Sequence, residues 1–297
     1  MSALLDSAHL TSRTNPDLFG HREAVRELVT ALESGRMPHA WILHGPPGIG
    51  KATLAFRLAR HVLAGTKTSD LSLPSDHPVF SQVGSGGHPD LIVVEHNSSI
   101  DPAHLESDSA ERQKPRKTIP VKEVRQIRQF FSMTAGMTGG ARVAIVNDAH
   151  LLNREGQNAL LKPLEEPPTG GLILLVAPSL TQLLPTVRSR CRKLAMAPLS
   201  PVDTADLIRC QRQQIGAEDI EALVALSEGR PGRALQLADS GALEDIASFM
   251  ELARGFPRLD WPAVHAFAGK LAGRGREAAQ AATLDFIVQF LGTLVRR

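Results

Sequence analysis

The sequence predicts an α/β domain built on a parallel sheet, followed by a region of helices alone. Up to about residue 197, short apolar runs rich in Val and Ile alternate with segments whose apolar residues recur at helical spacing. This alternation is typical of doubly wound α/β domains. From Pro198 onward the strand-like runs stop and only helical segments follow. A chain of 297 residues, 42% of them hydrophobic, suffices for two or three domains with packed cores.

The predicted elements of the α/β part follow in a regular order. Residues 22–36 carry apolar residues at helical spacing and end at Gly35, and residues 52–65 do the same until Gly65. Asn153 is the expected N-cap of a later helix. A further helix is predicted at 121–131, and the apolar runs that predict buried parallel strands are 40–45, 90–95, 142–148 and 171–178.

Two other features divide the chain. Residues 97–118 are polar, mixed in charge and without period, which predicts a surface insertion. After Pro198 the helical segments are interrupted near residues 240–243. The predicted domains are therefore an α/β base at 1–197, a helical domain at 198–240 and a second helical domain at 241–297, with helices at 201–214, 217–228, 231–238 and beyond.

Composition limits the possible classes of protein. Lys and Arg total 33 against 31 for Asp and Glu, so net charge gives little support for nucleic-acid binding. Cys191 and Cys210 are too few for a disulfide framework and lack the spacing of a cysteine zinc site. Residues 1–20 lack the apolar core of a secretory signal, and no run approaches the ~20 apolar residues of a membrane span. We expect a cytoplasmic protein without a membrane partner.

The stretch GPPGIGKAT, residues 45–53, predicts a loop that binds phosphate. A strand precedes it and a helix follows it, which is the context such a loop requires. Gly45, Gly48 and Gly50 allow backbone N–H groups to approach phosphate oxygens, and Lys51 supplies a positive charge. A nucleotide is the expected ligand.

The residues that would hold a metal beside this loop are depleted. Ala52 stands where a magnesium-holding hydroxyl is expected, and Thr53 comes one residue late, which rotates its side chain by roughly 100° on a helix. ATPases of this architecture end a later strand with two adjacent acids, whereas this chain has Asn147 and Asp148. An equally strong interpretation is that these two residues only cap a turn. The sequence is compatible with bound ATP or ADP and gives little support for magnesium.

Three stretches carry a family resemblance: LFGHREAVRELVTALESGRMPHAWILHGPPGIGK, NDAHLLNREGQNALLKPLEEPP and LLPTVRSRCR. They resemble the AAA+ subunits of clamp loaders, the bacterial machine that opens the sliding clamp and its eukaryotic relative replication factor C. The resemblance extends from residue 18 to about residue 240. It implies a P-loop NTPase-like base followed by a helical lid and a helical collar, for which residues 241–297 are short.

Within this family the chain departs from the gamma/tau type of motor subunit. That type keeps Ser or Thr after the lysine, an Asp-Glu pair, and threonine at the end of a later strand. Here these positions hold Ala52, Asn147–Asp148 and Ala177–Pro178. The resemblance therefore implies a stator that assembles with the motor and has little or no ATPase activity of its own.

A zinc module with four cysteines, common in both subunit types, is not expected. Residues 65–90 contain no cysteine. His77 and His88 form at most a weak pair, since a structural zinc site needs about four ligands. We expect both to be surface histidines and predict no metal site.

The resemblance assigns roles to two arginines. Arg190, in the Ser189–Arg190–Cys191 triplet, matches an arginine finger that reaches into the nucleotide site of a neighbouring subunit. The alternative is a basic patch formed with Arg188 and Arg192. Arg233, within GRPGRAL, matches the sensor-2 arginine of the lid, which either contacts nucleotide phosphates or clamps the lid to the base.

The resemblance also implies partners. These are the gamma/tau and delta subunits, the sliding clamp through the assembled complex, and the backbone of primer-template DNA. The DNA candidates on the 121–131 helix are Lys122, Arg125 and Arg128, for which a solvated helix face is an equally good explanation. Oligomerisation is expected through apolar positions of the collar: Leu284, Ile287, Phe290, Leu291 and Leu294.

The sequence leaves two alternative functions open. In the first, Thr53 and Asp148 suffice for an active AAA+ ATPase, either a gamma/tau-like motor or another remodeller. In the second, the chain is a scaffold without nucleotide or finger function. Pro163 should bend the last turn of its helix in either case, because proline removes a helical hydrogen bond.

Overall fold

The computed structural model of the protein describes residues 11–95, 118–132, 140–167, 169–255, 258, 260–273 and 275–295, apart from the side chains of residues 293 and 295. The surface insertion predicted at 97–118 lies outside the described residues except for its last residue. The chain divides into two units, Met1–Ala197 and Pro198–Arg297.

The first unit is an α/β domain, as predicted. Its five strands all run parallel, in the order β2-β3-β4-β1-β5. The strands are β1 (Ala40–His44), β2 (Leu91–Val94), β3 (Arg142–Val146), β4 (Gly171–Ala177) and β5 (Arg192–Ala195), and the helices are α1 (Arg22–Glu33), α2 (Lys51–Ala64), α3 (Pro78–Ser85), α4 (Val121–Ser132), α5 (Arg154–Ala159), α6 (Leu161–Glu165) and α7 (Pro185–Arg188).

Apolar cores cover both faces of this sheet. Trp41, Leu43 and Leu174 point to one face, where they pack with residues of α1, α2 and α3. Their neighbours Ile42 and Ile173 point to the other face, where α4 to α7 contribute. Successive residues of a strand face opposite sides, so strands with two buried faces appear in the sequence as continuous apolar runs.

The edge strand β5 and helix α3 were missed by the sequence analysis. Strand β5 pairs with β1 alone, and of its four residues only Leu194 is buried. An edge strand with a single buried residue gives almost no apolar signal. Helix α3 is short and begins at Pro78, a favoured first helical residue, with His77 accepting a hydrogen bond from the N–H of Val79.

Helix boundaries near the predicted Asn153 cap follow local chemistry. The Asn153 side chain accepts a hydrogen bond from the N–H of Gly156 at 2.7 Å, which confirms the N-cap. The helical segment that follows is divided into α5 and α6 at Leu160. Pro163 has no N–H to donate to Ala159, four residues before it, so the interruption lies where proline weakens the helix.

The second unit consists of helices in all its described elements, as predicted. These are α8 (Pro201–Gln211), α9 (Ala217–Ser227), α10 (Pro231–Ser240), α11 (Leu243–Arg254), α12 (Trp261–Leu271) and α13 (Glu277–Val295). Gly241, in the left-handed conformation, ends α10 at the predicted break. One core cluster includes Leu223 and Leu237 together with Ile246 and Ala282. The division into lid and collar near residue 240 stays a prediction.

Within the described part of the chain, none of the helices has the length and apolar character needed to cross a bilayer.

Candidate functional site

The glycine-rich loop lies between β1 and α2, as a phosphate cradle requires. Gly45, Gly48 and Gly50 all have positive φ angles. Gly50 is the cap residue of α2 and has no side chain, so the first N–H groups of the helix are left for another acceptor. A Cβ on Gly45 would lie 2.1 Å from the carbonyl oxygen of Met196, so only glycine fits there. The uncapped helical N–H groups at the start of α2 fit a phosphate group.

Lys51 is folded back onto this loop. Its Nζ donates hydrogen bonds to the carbonyl oxygens of Gly45, at 2.8 Å, and Pro46, at 2.7 Å. Burial lowers the pKa of Lys51 to about 8, while the charge of Asp148 acts in the opposite direction. A phosphate would therefore have to draw this ammonium away from the two carbonyls.

The end of β3 brings polar groups close to this lysine. The N–H of Asn147 donates to the carbonyl oxygen of Val94, and Asp148 follows with a left-handed φ of 57° before a short turn of 3-10 helix. Asp148 acts electrostatically on both Lys51 and His150. The structure thus gathers Lys51 and Asp148 at the carboxyl edge of the sheet, whereas an amide and a methyl group occupy the positions expected of metal ligands, at Asn147 and Ala52.

Two histidines at this edge were missed by the sequence analysis. Burial lowers the pKa of His44, at the end of β1, and the charges of Lys193 and Lys51 act in the same direction. Burial also lowers the pKa of His150, against the effect of Asp148. The Nδ1 atom of His150 is buried and, among the described residues, has no hydrogen-bond partner. Both imidazoles are therefore favoured in the neutral form beside Lys51.

His21 was also missed, and it contacts the loop directly. It precedes α1 with a left-handed φ of 54°, and its Nε2 lies 2.6 Å from the carbonyl oxygen of Ile49. Because a carbonyl can only accept, Nε2 donates this hydrogen bond. The only sequence signal would have been its position directly after Gly20 at the start of a helix.

The segment before His21 is held by two arginines of α2. Arg60 donates to the carbonyl oxygens of Arg13 and Asn15, and Arg57 donates to that of Pro16. Burial lowers the pKa of Arg60 to about 10. Helix α2 therefore anchors the chain that leads into α1 as well as carrying the cradle lysine.

Arg190 lies in the short connection between α7 and β5. Its side chain is 36% exposed and forms an ion pair with Glu165, with 2.7 Å between Nη2 and Oε1. Its Nη1 donates to the carbonyl oxygen of Thr186 at 3.0 Å. The next residue, Cys191, is buried, and burial raises the pKa of its thiol to about 12, so it packs as an apolar group. The guanidinium thus lies at the surface beside a buried anchor.

The neighbouring arginines have different surroundings. Arg192 pairs with Glu27 of α1 at 2.9 Å. Arg188 is half-buried, and its buried Nε has no hydrogen-bond partner within the described ranges. Two of the three arginines are therefore neutralised by acids from different helices, which weakens the alternative of a shared basic patch.

Arg233 lies in α10 of the second unit. Its guanidinium donates to the side-chain oxygen of Gln289 in α13. Burial lowers the pKa of Arg233, and the nearby charge of Arg230 acts in the same direction. The described contact is therefore with another helix of its own unit, and contact with a nucleotide stays a prediction.

The expectation of two surface histidines is wrong for His88. Its side chain is only 3% exposed, and its Nδ1 accepts a hydrogen bond from the N–H of Asp90. Glycine and proline flank His88 in the sequence, so no helical or strand periodicity indicated that its ring would be buried. In the described part of the chain, no three His, Cys, Asp or Glu side chains are grouped in a way that could hold a metal ion.

The candidate DNA-contact residues lie on an exposed face of α4. Lys122, Arg125 and Arg128 are all exposed on α4, but Arg125 pairs with Glu155 at 2.8 Å.

The apolar positions expected to oligomerise differ in exposure. On α13, Leu284, Leu291 and Leu294 are 44–56% exposed, and the side chain of Val288 is 69% exposed. Ile287 and Phe290 are half-buried, and the ring of Phe290 packs on that of Phe249.

The strand order and the glycine-rich loop after β1 define a P-loop NTPase-like domain of the AAA+ class, as the sequence predicted. A comparison with protein families then gives the particular family. The match is to the family described as "DNA polymerase III, delta subunit", over residues 20–200. The chain belongs to this family.

The curated relatives include bacterial proteins named DNA polymerase III subunit delta' and others named subunit gamma or tau. DNA polymerase III subunit delta' of Pseudomonas aeruginosa is 32% identical over 213 residues, which is 72% of this chain and 60% of the relative. The Escherichia coli protein of that name is 30% identical over 81% of this chain and 66% of the relative. DNA polymerase III subunit tau of Escherichia coli is 28% identical over 87% of this chain and 36% of its own length. The chain thus spans about 60–66% of the length of the delta' relatives.

Proposed function

We propose that the chain is a delta-prime-type stator of the DNA polymerase III clamp loader. It assembles with the gamma/tau and delta subunits and helps to load the sliding clamp during DNA replication. The observation that carries this proposal is Arg190, a partly exposed guanidinium on a surface connection next to a buried anchor. A planar guanidinium in such a position can stabilise charge on a transferring phosphoryl group of an adjacent subunit.

The chain's own cradle supports nucleotide binding without competent hydrolysis. The loop glycines and the uncapped start of α2 fit the phosphates of ATP or ADP, and Lys51 would neutralise their charge. The residues at the metal position do not fit magnesium, because the side chain of Ala52 offers no oxygen and that of Asn147 no carboxylate. Arg233 is an additional candidate contact to such a nucleotide.

Contacts with DNA and within the complex are proposed for two surfaces. Lys122 and Arg128 are exposed on α4 and suit phosphate contacts without sequence readout, while Arg125 would first have to leave Glu155. The exposed apolar side chains of α13 suit packing against other subunits in a collar.

The second candidate function is an active ATPase, which is favoured by the position of Asp148 within electrostatic reach of Lys51. We expect the purified chain alone to show no appreciable ATP turnover with magnesium present, measured as phosphate release. Turnover that is lost in Lys51→Ala would instead support the active ATPase, and the same variant controls for contaminating activity.

Nucleotide affinity should depend on the protonation of Lys51. Its pKa of about 8 means that the ammonium is largely present below about pH 7 and is lost as the pH rises through 8. ADP affinity should therefore be flat up to about pH 7 and fall by up to about tenfold for each further pH unit above 8, until the pKa of the bound state is reached. Calorimetric titration with ADP measures this.

The matched control is Lys51→Arg, whose guanidinium stays charged across the same range. Its affinity should remain constant with pH even if it is weaker overall. An unchanged wild-type affinity up to about pH 9.5, or an equal decline in Lys51→Arg, would exclude Lys51 as the titrating contact.

A further inference from the structure

The guanidinium of Arg190 is held by acceptors of its own chain. Nη2 lies 2.7 Å from Oε1 of Glu165, and Nη1 lies 3.0 Å from the carbonyl oxygen of Thr186 and 3.4 Å from Oγ of Ser189. The side chain is therefore folded back along α7. A finger in this position has to leave these acceptors before it can reach a neighbouring nucleotide.

Glu165 is fixed at this place by the end of α6. Leu164, the residue before it, is 2% exposed and packs in the same core cluster as Val187 of α7. The N–H of Glu166 donates to the carbonyl oxygen of Lys162 and closes the last turn. The shortened helix that carries Pro163 thus presents the Glu165 carboxylate to the connection after α7.

The backbone that carries Arg190 is anchored, so the movable part is its side chain. The N–H of Arg190 donates to the carbonyl oxygen of Val187, and that of Ser189 donates to Pro185. Val187 is fully buried and Cys191 nearly so. Release of the ion pair changes only where the guanidinium points.

The ion pair between Glu165 and Arg190 is weak enough to form and break reversibly. The two side chains are 36% and 49% exposed, so solvent screens their attraction. A pair of this kind biases the arginine toward the held position by up to about fivefold, which corresponds to about 1 kcal/mol. A nucleoside triphosphate carries several negative charges, whereas Glu165 carries one, so the triphosphate can displace Glu165 from Arg190.

We propose that Glu165 is a positioning residue that holds Arg190 against α7 in the free chain and releases it to the triphosphate of an adjacent subunit. The inference rests on the proposed function, because it assigns Arg190 a target outside the chain. Glu165 lowers the fraction of chains in which Arg190 is free to bind a neighbouring triphosphate, without contacting the nucleotide itself. Its removal should therefore make the finger more available at low ATP concentration.

The first test uses the free chain. Phenylglyoxal, which modifies accessible arginines, should react with Arg190 about two- to fivefold faster in Glu165→Ala than in the wild type. Peptide mass spectrometry gives the rate at each arginine. Glu166→Ala, which changes the exposed acid next in sequence, is the matched control and should leave the reaction rate at Arg190 unchanged. The reaction rate at Arg192 should be the same in Glu165→Ala, in Glu166→Ala and in the wild type. An unchanged rate in Glu165→Ala overturns the proposal.

The second test uses the complex reconstituted with gamma/tau and delta. Glu165→Ala should lower the ATP concentration for half-maximal hydrolysis by about two- to fivefold. It should leave the maximal rate unchanged, because the contact between Glu165 and Arg190 exists only before Arg190 binds the nucleotide. In an Arg190→Ala background, Glu165→Ala should have no effect. An equal effect in both backgrounds would show a structural role for Glu165 and overturn the proposal.

The finger function of Arg190 and the holding contact of Glu165 can be tested separately. If Arg190→Ala leaves hydrolysis by the complex unchanged, the finger function fails, whereas the modification rates still decide whether Glu165 holds Arg190. If Arg190→Ala slows hydrolysis and Glu165→Ala changes neither measurement, only the holding contact fails.

Discussion

Replacing Arg190 with alanine in the reconstituted clamp loader is expected to slow ATP hydrolysis at the site that receives it by about 10³-fold or more. Arginine fingers contribute about 10³ to 10⁵ in rate, because a planar guanidinium stabilises charge on the phosphoryl group in the transition state. The effect should appear in single-turnover measurements on that site. Total hydrolysis should fall only by the share of this site, since other subunits keep their own contacts.

Two variants separate the finger from general effects of charge. Arg190→Lys keeps the charge but lacks the planar, bidentate group, so most of the rate should still be lost. Arg192→Ala removes the neighbouring exposed arginine, which pairs with Glu27, and should leave hydrolysis nearly unchanged. Assembly, followed by gel filtration, should be intact in all three. Normal hydrolysis with Arg190→Ala in an assembled complex would support a scaffold without finger function.

Gly45→Ala is expected to destabilise the first unit by at least about 3 kcal/mol. The added Cβ would lie 2.1 Å from the carbonyl oxygen of Met196 and 2.8 Å from Cδ1 of Ile49. The Ile49 side chain can move, but the Met196 carbonyl belongs to the backbone that follows β5, next to the sheet. Overpacking that cannot relax by a change of rotamer costs more than the usual 1–3 kcal/mol.

Tryptophan fluorescence can follow this unfolding. The chain has two tryptophans, Trp41 and Trp261, and Trp41 is buried in β1 of the first unit. In a Trp261→Phe background, urea unfolding therefore reports on the first unit alone. Gly35→Ala is the matched control, because its φ is also positive but nothing lies within 4 Å of the added Cβ. It should cost only about 1 kcal/mol. Equal effects of the two substitutions would contradict the steric argument.

Most of the sheet was predictable because its strands are buried on both faces. Strands β1, β3 and β4 are nearly continuous apolar runs, and each gave a clear signal in the sequence. Strand β5 gave none, because it joins the sheet at an edge with Arg192 and Lys193 exposed. Its place in the sheet was decided by its pairing with β1, and this pairing leaves no pattern in the sequence of β5 itself.

The candidate site was predictable where a motif is contiguous. The glycines of the cradle, Lys51 and the Asn153 cap depend on neighbours within a few residues, and periodicity or spacing reveals them. The contribution of His21 was not predictable, since its partner Ile49 belongs to another segment. The burial of His88 was hidden as well, because the glycines and proline that flank it in sequence give no periodic apolar pattern.

The sequence by itself determined the order along the chain of β1 to β4 and of most helices, the glycine-rich loop with its lysine, the lack of a hydroxyl at Ala52 and of a carboxylate at Asn147, and the family. These properties are encoded by residue types at short spacing, where the geometry of one helix, strand or turn fixes what the pattern means. Only the tertiary structure decided that Lys51 bonds to its own loop with a lowered pKa, and that Glu165 contacts Arg190 although strand β4 separates them in the sequence. Such contacts depend on how separate elements pack, because burial and distance between distant residues exist only in the folded chain.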